Sequence, residues 1–199
     1  MSIKVLALAG STRTGSYNRM LAALAAEAAR EAGAEVTLIN LRDYPMPLYD
    51  GDLEEREGLP SSARQLRELF LSHDALIIAS PEYNGSLSAV LKNTIDWLSR
   101  PQPGDPPRAC FANKVAVIVS ASTGALGGMR GLVHLRAILT QLQVLVLPDQ
   151  KSIPNAAQAF DQQGRLVGAA DQRAIEQIVQ KLVRVTAVLR EGAQAYVAE

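Results

Sequence analysis

Apolar residues gather into short runs at Ile3–Ala9, Ala75–Ala79, Val115–Val119 and Val144–Leu147, with a weaker run at Glu35–Asn40. The runs are rich in Val, Ile and Leu and mostly lack polar alternation, which is how strands covered on both faces read. Between them the apolar positions move to a helical period. Leu21, Leu24, Ala25 and Ala28 share one stripe over 18–32, and Ala63, Leu66 and Phe70 share another over 61–72. Leu87, Val90, Leu91, Ile95 and Leu98 do so over 86–99, and Leu132, Leu135, Leu139 and Leu142 over 129–142. Ile175, Ile178, Leu182, Val185 and Leu189 form the last stripe, over 171–190. Strand and helix alternate, so the pattern predicts an α/β domain with a parallel sheet covered by helices on both faces. Right-handed crossovers prune the topologies, and five strands favour the order 2-1-3-4-5. The 199 residues read as a single domain, 1–199.

Two stretches are longer than ordinary connectors. Leu41–Pro60 holds Pro45, Pro47, Gly51, Gly58 and Pro60, and Pro148–Val167 holds Pro154, Asn155 and Gly164. Loops of that length in a compact domain tend to be functional or disordered, and the prolines suit a fixed lid better than a floppy linker. The segment Pro101–Pro107 reads as a surface crossover before the fourth strand.

Composition narrows the chemistry. With 20 Lys+Arg against 20 Asp+Glu, the formal net charge is zero, which argues against broad electrostatic binding of nucleic acid. One Cys and two His exclude an internal disulfide framework, a Cys-rich metal site and a three-histidine centre within one chain. No apolar run approaches the ~20 residues that span a bilayer. The start, MSIKVLALAG, reads as a first strand rather than a signal peptide. The expectation is a soluble, cytoplasmic protein with no membrane or nucleic-acid partner. It is poor in reactive side chains and suited to a borrowed reagent.

In an open parallel sheet, ligands bind beyond the carboxyl ends of the strands, where the strand order reverses. Three loops meet that edge: Gly10–Asn18 after strand 1, Ser80–Ser86 after strand 3 and Ser120–Gly128 after strand 4. All are dense in Gly and short hydroxyl residues. The first leads into a helix, whose N-terminal N–H groups and partial positive charge suit a phosphate. Ser11, Thr12, Thr14 and Ser16 add hydroxyls, and Arg13 adds a fork matched to phosphate oxygens. The competing reading is that Ser16 or Asn18 simply caps the helix. A Walker A loop is excluded, because Ser16 stands where its Lys belongs and Tyr17 where its Ser/Thr belongs. The dinucleotide fingerprint is broken by Thr12 at its second glycine. A phosphoacceptor receiver would carry acidic residues where Gly10-Ser11 stands. What remains is a phosphate monoester at strand 1 with a planar group laid across the other two loops, the shape of flavin mononucleotide (FMN). Tyr83 offers a ring face, Asn84 and backbone N–H groups offer hydrogen bonds, and Gly124, Gly127 and Gly128 would let a second ligand approach closely.

At these residues the sequence resembles the NADPH-dependent FMN reductase family, which includes quinone, chromate and azo reductases. The resemblance rests on Gly10-Ser11-x-Arg13-x-x-Ser16-x-Asn18 and on Pro81-Glu82-Tyr83-Asn84-Gly85-Ser86, continuing as Leu91-Lys92-Asn93-x-Ile95-Asp96-Trp97. It also rests on Ser122-Thr123-Gly124 through Gly127-Gly128, where Ala125 and Leu126 interrupt the family's longer glycine run. It implies a flavodoxin-like three-layer sandwich, FMN as cofactor and NADPH (or NADH) as electron donor. Ser11, Arg13, Ser16 and Asn18 would hold the phosphate. Pro81, Glu82, Tyr83, Asn84 and Gly85 would line the flavin ring, largely through backbone groups. Ser122 and Gly124 would approach the ring or the donor. It further implies a quinone, free flavin or other small acceptor, a homodimer or homotetramer, and a segment, Asp43–Asp52, that borders the pocket. Hydride would pass to the flavin and on to the acceptor, with the protein supplying orientation and electrostatics. No side-chain nucleophile or acid–base residue is needed, so no catalytic residue is assigned. A non-enzymatic electron carrier is the alternative. Such carriers tend to be strongly acidic, and the zero net charge counts against it.

Other conspicuous residues have plainer readings. Trp97 reads as packing, Glu82 as a loop-structural carboxylate and Lys92–Asp96 as an i, i+4 brace. Cys110 reads as an incidental thiol, His134 as structural and His73 as a group near a helix C-terminus. Arg130 reads equally as a dinucleotide-phosphate ligand and as a salt-bridge partner.

Overall fold

The computed structural model describes residues 2–197, with side chains described through residue 192. Its strands are β1 (Lys4–Ala9), β2 (Glu35–Asn40), β3 (Ala75–Ala79), β4 (Glu82–Tyr83), β5 (Ser86–Leu87), β6 (Val115–Ala121) and β7 (Leu145–Ile153). Its helices are α1 (Tyr17–Glu31), α2 (Gly51–Glu57), α3 (Ser61–Ser72), α4 (Ala89–Leu98), α5 (Met129–Gln141), α6 (Ala156–Ala159) and α7 (Ala169–Val197). Five strands form one parallel sheet in the order β2-β1-β3-β6-β7, and β4 and β5 form a separate hairpin. With the hairpin set aside this is the expected 2-1-3-4-5 topology.

The pleat divides the core in two. Val5, Ala7, Ala9, Ile77, Val117 and Val119 face α1 and α7, meeting Leu21, Ala25, Val179 and Leu182. Leu6, Leu8, Leu76, Ile78 and Ile118 face α3, α4 and α5, meeting Leu66, Phe70, Leu91, Ile95 and Leu135. The central strands are therefore buried on both sides, which is why their sequences show no polar alternation.

Three expectations need correction. The segment Pro148–Val167 is not one long loop. The run expected to end at Leu147 continues as β7 to Ile153, and α6 follows it. The ladder to β6 shifts register between Ala116 and Ile118, and Pro148 sits at that irregularity on an edge strand. A proline costs little there, because no ladder hydrogen bond needs its missing N–H. Arg136 donates to the carbonyls of Val146 and Leu147 at the same place (3.1 and 2.8 Å). The helix expected over 86–99 starts at Ala89, because Ser86 and Leu87 pair with Tyr83 and Glu82. The Asn84-Gly85 turn has positive φ at both residues (51° and 78°), the signature of a two-residue hairpin.

The segment Leu41–Pro60 carries a 3-10 turn at Leu41–Asp43 and the helix α2. It is held against α4, as its prolines suggested. Asn93 accepts from the Tyr49 N–H (2.7 Å) and donates to the Pro47 carbonyl (2.8 Å), and the Trp97 indole donates to that same carbonyl (2.8 Å). Trp97 is fully buried with Leu59 and Ala63. Cys110 is buried as well, and burial pushes its thiol up to about 11 despite the pull of Arg67 and Lys114, so it is not a reactive thiolate. His73 follows the last turn of α3, where its Nδ1 lies 2.6 Å from the Leu69 carbonyl and its Nε2 2.8 Å from the Thr37 hydroxyl.

Candidate functional site

The three hydroxyl- and glycine-rich loops converge at the carboxyl edge of the sheet around a cavity of about 160 Å³. Ser11, Arg13, Ser16, Tyr17 and Asn18 line it from the β1 loop, Pro81, Glu82 and Tyr83 from the β3 side, and Ala121, Ser122 and Thr123 from the β6 side. Asn84, Gly85 and Gly124 lie outside this lining, while Tyr17, Ala121 and Thr123 join it without having been singled out. At this volume the enclosed part fits a phosphate and its ester, below the roughly 300 Å³ of a full small-molecule pocket. A larger ring would lie across the open side, where Tyr83 is exposed.

The phosphate loop follows from its local chemistry. Gly10 ends β1 against α4, where an added Cβ would meet Leu91 at 2.9 Å, and the Ser88 hydroxyl donates to the Gly10 carbonyl (2.5 Å). Ser16 caps α1, its side chain accepting from the Arg19 N–H. The cap reading of Ser16 is thus present, and it coexists with a place in the cavity wall. Among the described residues no protein acceptor pairs with the N–H groups of Gly15, Ser16, Tyr17 or Asn18. These are the free donors of a helix start, turned toward the loop region. Arg13 is exposed, and among the described residues its guanidinium makes no hydrogen bond or ion pair.

Asn18 does more structural work than the resemblance implied. It is buried, its amide donates to the Ala121 carbonyl (2.8 Å), and its oxygen accepts from the Ala121 N–H (3.0 Å). This two-point clamp ties the first turn of α1 to the end of β6, so two walls of the cavity keep a fixed spacing. Tyr17 stacks on Phe160 (5.7 Å between ring centres), anchoring the same turn to the segment after α6.

Glu82 holds the hairpin. Its carboxylate accepts from Arg130 Nε (2.8 Å) and from the Gly131 N–H (3.1 Å), and Ser86 lies 2.9 Å from His134 Nδ1. Arg130 is thus an intrachain partner of Glu82. Burial works against the Glu82 carboxylate, but Arg130 and the Gly131 N–H outweigh it and hold the group below the ordinary glutamate value. The latch therefore stabilises the fold above the unfolded glutamate value, about 4.3, and this is lost as pH falls through the lower folded value. Glu82→Gln should be less stable than wild type in urea titrations at neutral pH, and the gap should close below about pH 4. A gap that stays constant from pH 7 to pH 3 would mean that the charge on Glu82 does not hold the hairpin.

The glycine loop also needs a correction. Gly127 and Gly128 have positive φ (60° and 90°) and face inward. A Cβ on Gly127 would sit 2.7 Å from the Ile153 carbonyl carbon, and one on Gly128 would sit 2.9 Å from the Ser120 Cβ. They are glycines because the chain folds back on itself there, not to admit a second ligand. Gly124 has open space, its nearest neighbour being the Ser122 hydroxyl at 3.7 Å. Ser122 in turn accepts from the Gly124 N–H (3.2 Å).

Comparison with known proteins decides between the readings this geometry allows. The model of the NADPH-dependent FMN reductase family matches residues 3–158. The chain belongs to that family. It is 40% identical to an NAD(P)H-dependent FMN reductase of Pseudomonas aeruginosa over 187 residues, covering 90% of this chain and 93% of that protein. It is 39% identical to a quinone reductase of Escherichia coli over 145 residues, covering 73% of each. Its fold matches the flavoenzyme NAD(P)H:(acceptor) oxidoreductase FerB from Paracoccus denitrificans with a TM-score of 0.78 at 22% identity, over 93% of this chain and 97% of that one. The donors on the converging loops match the chemistry of FMN, the family's cofactor. Free N–H groups and an uncommitted guanidinium at the β1 loop fit a phosphate dianion, and the open side beside Tyr83 fits a flat ring. Among the described residues no group of three or more His, Cys, Asp or Glu forms a metal site.

Proposed function

We propose that this chain takes hydride from NADPH, or from NADH, and passes the electrons through FMN to a small acceptor such as a quinone or free flavin. The observation that carries the reading is the β1 loop of a family member, whose first N–H groups and Arg13 guanidinium have no partner among the described residues, beside two other converging loops. FMN, when bound, supplies the redox chemistry. The chain's own residues bind and orient. Ser11, Arg13 and Ser16 hold the phosphate together with the first N–H groups of α1, and Asn18 keeps this loop in register with Ala121. Glu82 keeps the hairpin seated on α5, so that Pro81, Tyr83, Asn84 and Gly85 present backbone and ring edge to the flavin. Ser122 and Gly124 line the approach of the donor. No side chain in this set has to act as nucleophile or general base, and none is assigned as catalytic.

The same reading places the protein in the cytoplasm as a homodimer or homotetramer. The exposed side chains of Tyr83, Leu126, Met129 and Val133, on the hairpin, the loop before α5 and the first turns of α5, support a subunit contact beside the site. No described helix is long and apolar enough to cross a membrane. The test is the absorption spectrum as purified, followed by the same spectrum after anaerobic NADPH. A flavin spectrum that bleaches with NADPH and recovers on adding a quinone supports the proposal. Flavin-loaded protein that no nicotinamide nucleotide reduces would overturn it.

A further inference from the structure

The largest feature at this edge of the sheet that the flavin reading leaves unused is a second groove, of about 510 Å³, between the first turns of α1 and the end of β2. We propose that this groove binds the adenylate half of a dinucleotide. Four observations carry the assignment.

The first is size and position. The volume lies within the roughly 300–1,000 Å³ of small-molecule sites. Ser16 lines both this groove and the cavity between the three loops, so one ligand can cross from one to the other over the β1 loop. The second is the floor. Met20, Ala23 and Leu38 present apolar surface, with Leu38 42% exposed although it lies within a strand. A flat purine face would cover that surface. The third is the rim. Arg19 faces the groove, and among the described residues its guanidinium has no hydrogen bond or ion pair. Arg42 spends one N–H on the Thr14 hydroxyl (3.1 Å), and the rest of its fork is uncommitted among the described residues. Arg42 lies outside the lining and reaches it only through Thr14, so Arg19 is the guanidinium at this mouth, and its fork matches phosphate oxygens better than a neutral ligand. Asp43 is the acidic side chain in the lining, and it offers an acceptor for ribose hydroxyls.

The fourth observation is topological. In the dinucleotide-binding doubly wound sheets of order 3-2-1-4-5-6 the ligand lies across the first loop and an acidic side chain beyond β2 meets its ribose, and this sheet, though of the other doubly wound order, likewise sets β2 beside β1. Here the residue at the end of β2 is Asn40, whose oxygen accepts from the Arg42 N–H (3.2 Å) while among the described residues its amide N–H groups have no partner. The glycine fingerprint of such loops is broken at Thr12, so the sequence alone argued against a dinucleotide. The groove reopens the question on geometry.

An adenylate here has two sources, FAD with its flavin half across the three loops, or the nicotinamide donor. The inference rests on the flavin reading only for the FAD source. The test is calorimetric titration of the purified protein with AMP, with inorganic phosphate as control. AMP should bind at least about tenfold more tightly than phosphate, and Ala23→Trp, which fills the floor from an exposed helix position, should abolish the difference. Arg19→Ala, a second surface variant, should weaken AMP in the same direction. Titrations with FMN, FAD and NADP⁺ then separate the sources. Loss of FAD affinity alone in Ala23→Trp assigns the groove to the cofactor, and loss of NADP⁺ affinity alone assigns it to the donor. AMP no tighter than phosphate, or unaffected by either variant, would overturn the proposal. Failure of wild-type protein to bind FMN would count against the proposed function and leave the AMP result standing.

Discussion

Arg13→Ala is expected to weaken FMN by about 1.5–3 kcal/mol, the worth of one charge-assisted hydrogen-bonded contact, while leaving riboflavin nearly unchanged. That corresponds to roughly 10- to 150-fold in dissociation constant. The difference between the two flavins isolates the phosphate, because riboflavin carries the same ring and lacks it. The structure favours a large effect, since among the described residues the guanidinium has no protein partner, so truncation breaks nothing else. Arg13→Lys should fall between, because an ammonium keeps the charge and loses the planar fork. Fluorescence quenching titrations of apoprotein with each flavin provide the measurement. Equal losses for FMN and riboflavin would mean that Arg13 is not at the phosphate.

Gly127→Ala is the second large expectation, and it concerns stability. The new Cβ would lie 2.7 and 2.8 Å from backbone atoms of Ile153 and Pro154, at a φ of +60°. Backbone atoms at the end of a strand have little room to retreat. Overpacking costs about 1–3 kcal/mol and the left-handed conformation about 1–2 kcal/mol for a residue with a Cβ. A combined loss of about 2–5 kcal/mol is a large part of the 5–15 kcal/mol that holds a typical domain together. Gly15→Ala is the control, since a Cβ there would meet nothing within 4 Å. Urea midpoints should separate the two variants widely. Equal midpoints would mean that the Gly127 turn reshapes freely, and the inward-packing account of the glycine loop would fail.

The elements differ in how readable they were. β1, β3 and β6 stand out because both of their faces are buried, so every position is selected for apolarity. The rest of β7 was hidden because Pro148, Asp149, Gln150 and Lys151 interrupt the apolar run, and only the ladder to β6 shows that they continue a strand. The hairpin was readable in principle from Asn84-Gly85, a local turn signal that the helical period of Leu87, Val90 and Leu91 masked. At the site, the composition of the loops pointed to phosphate and flavin, because the groups that bind phosphate sit close together in the chain. The partners of those groups do not. Asn18 meets Ala121 across 103 positions, and Glu82 meets Arg130 across 48. No spacing rule reaches that far.

From its sequence alone the chain determined the alternation of strands and helices, the parallel sheet, the edge where a ligand belongs and the kind of group the β1 loop attracts. Each of these depends on interactions within a few residues or on periodic burial, and both leave a local trace. The tertiary structure decided which of the loop residues brace the site and which are free to bind. It turned Asn18 into a clamp and Gly127 into a packing residue, left Arg13 without a partner among the described residues, and opened a second groove at the end of β2. Those outcomes depend on which distant atoms satisfy a hydrogen bond or fill a space, and that is known only once the sheet has brought them together.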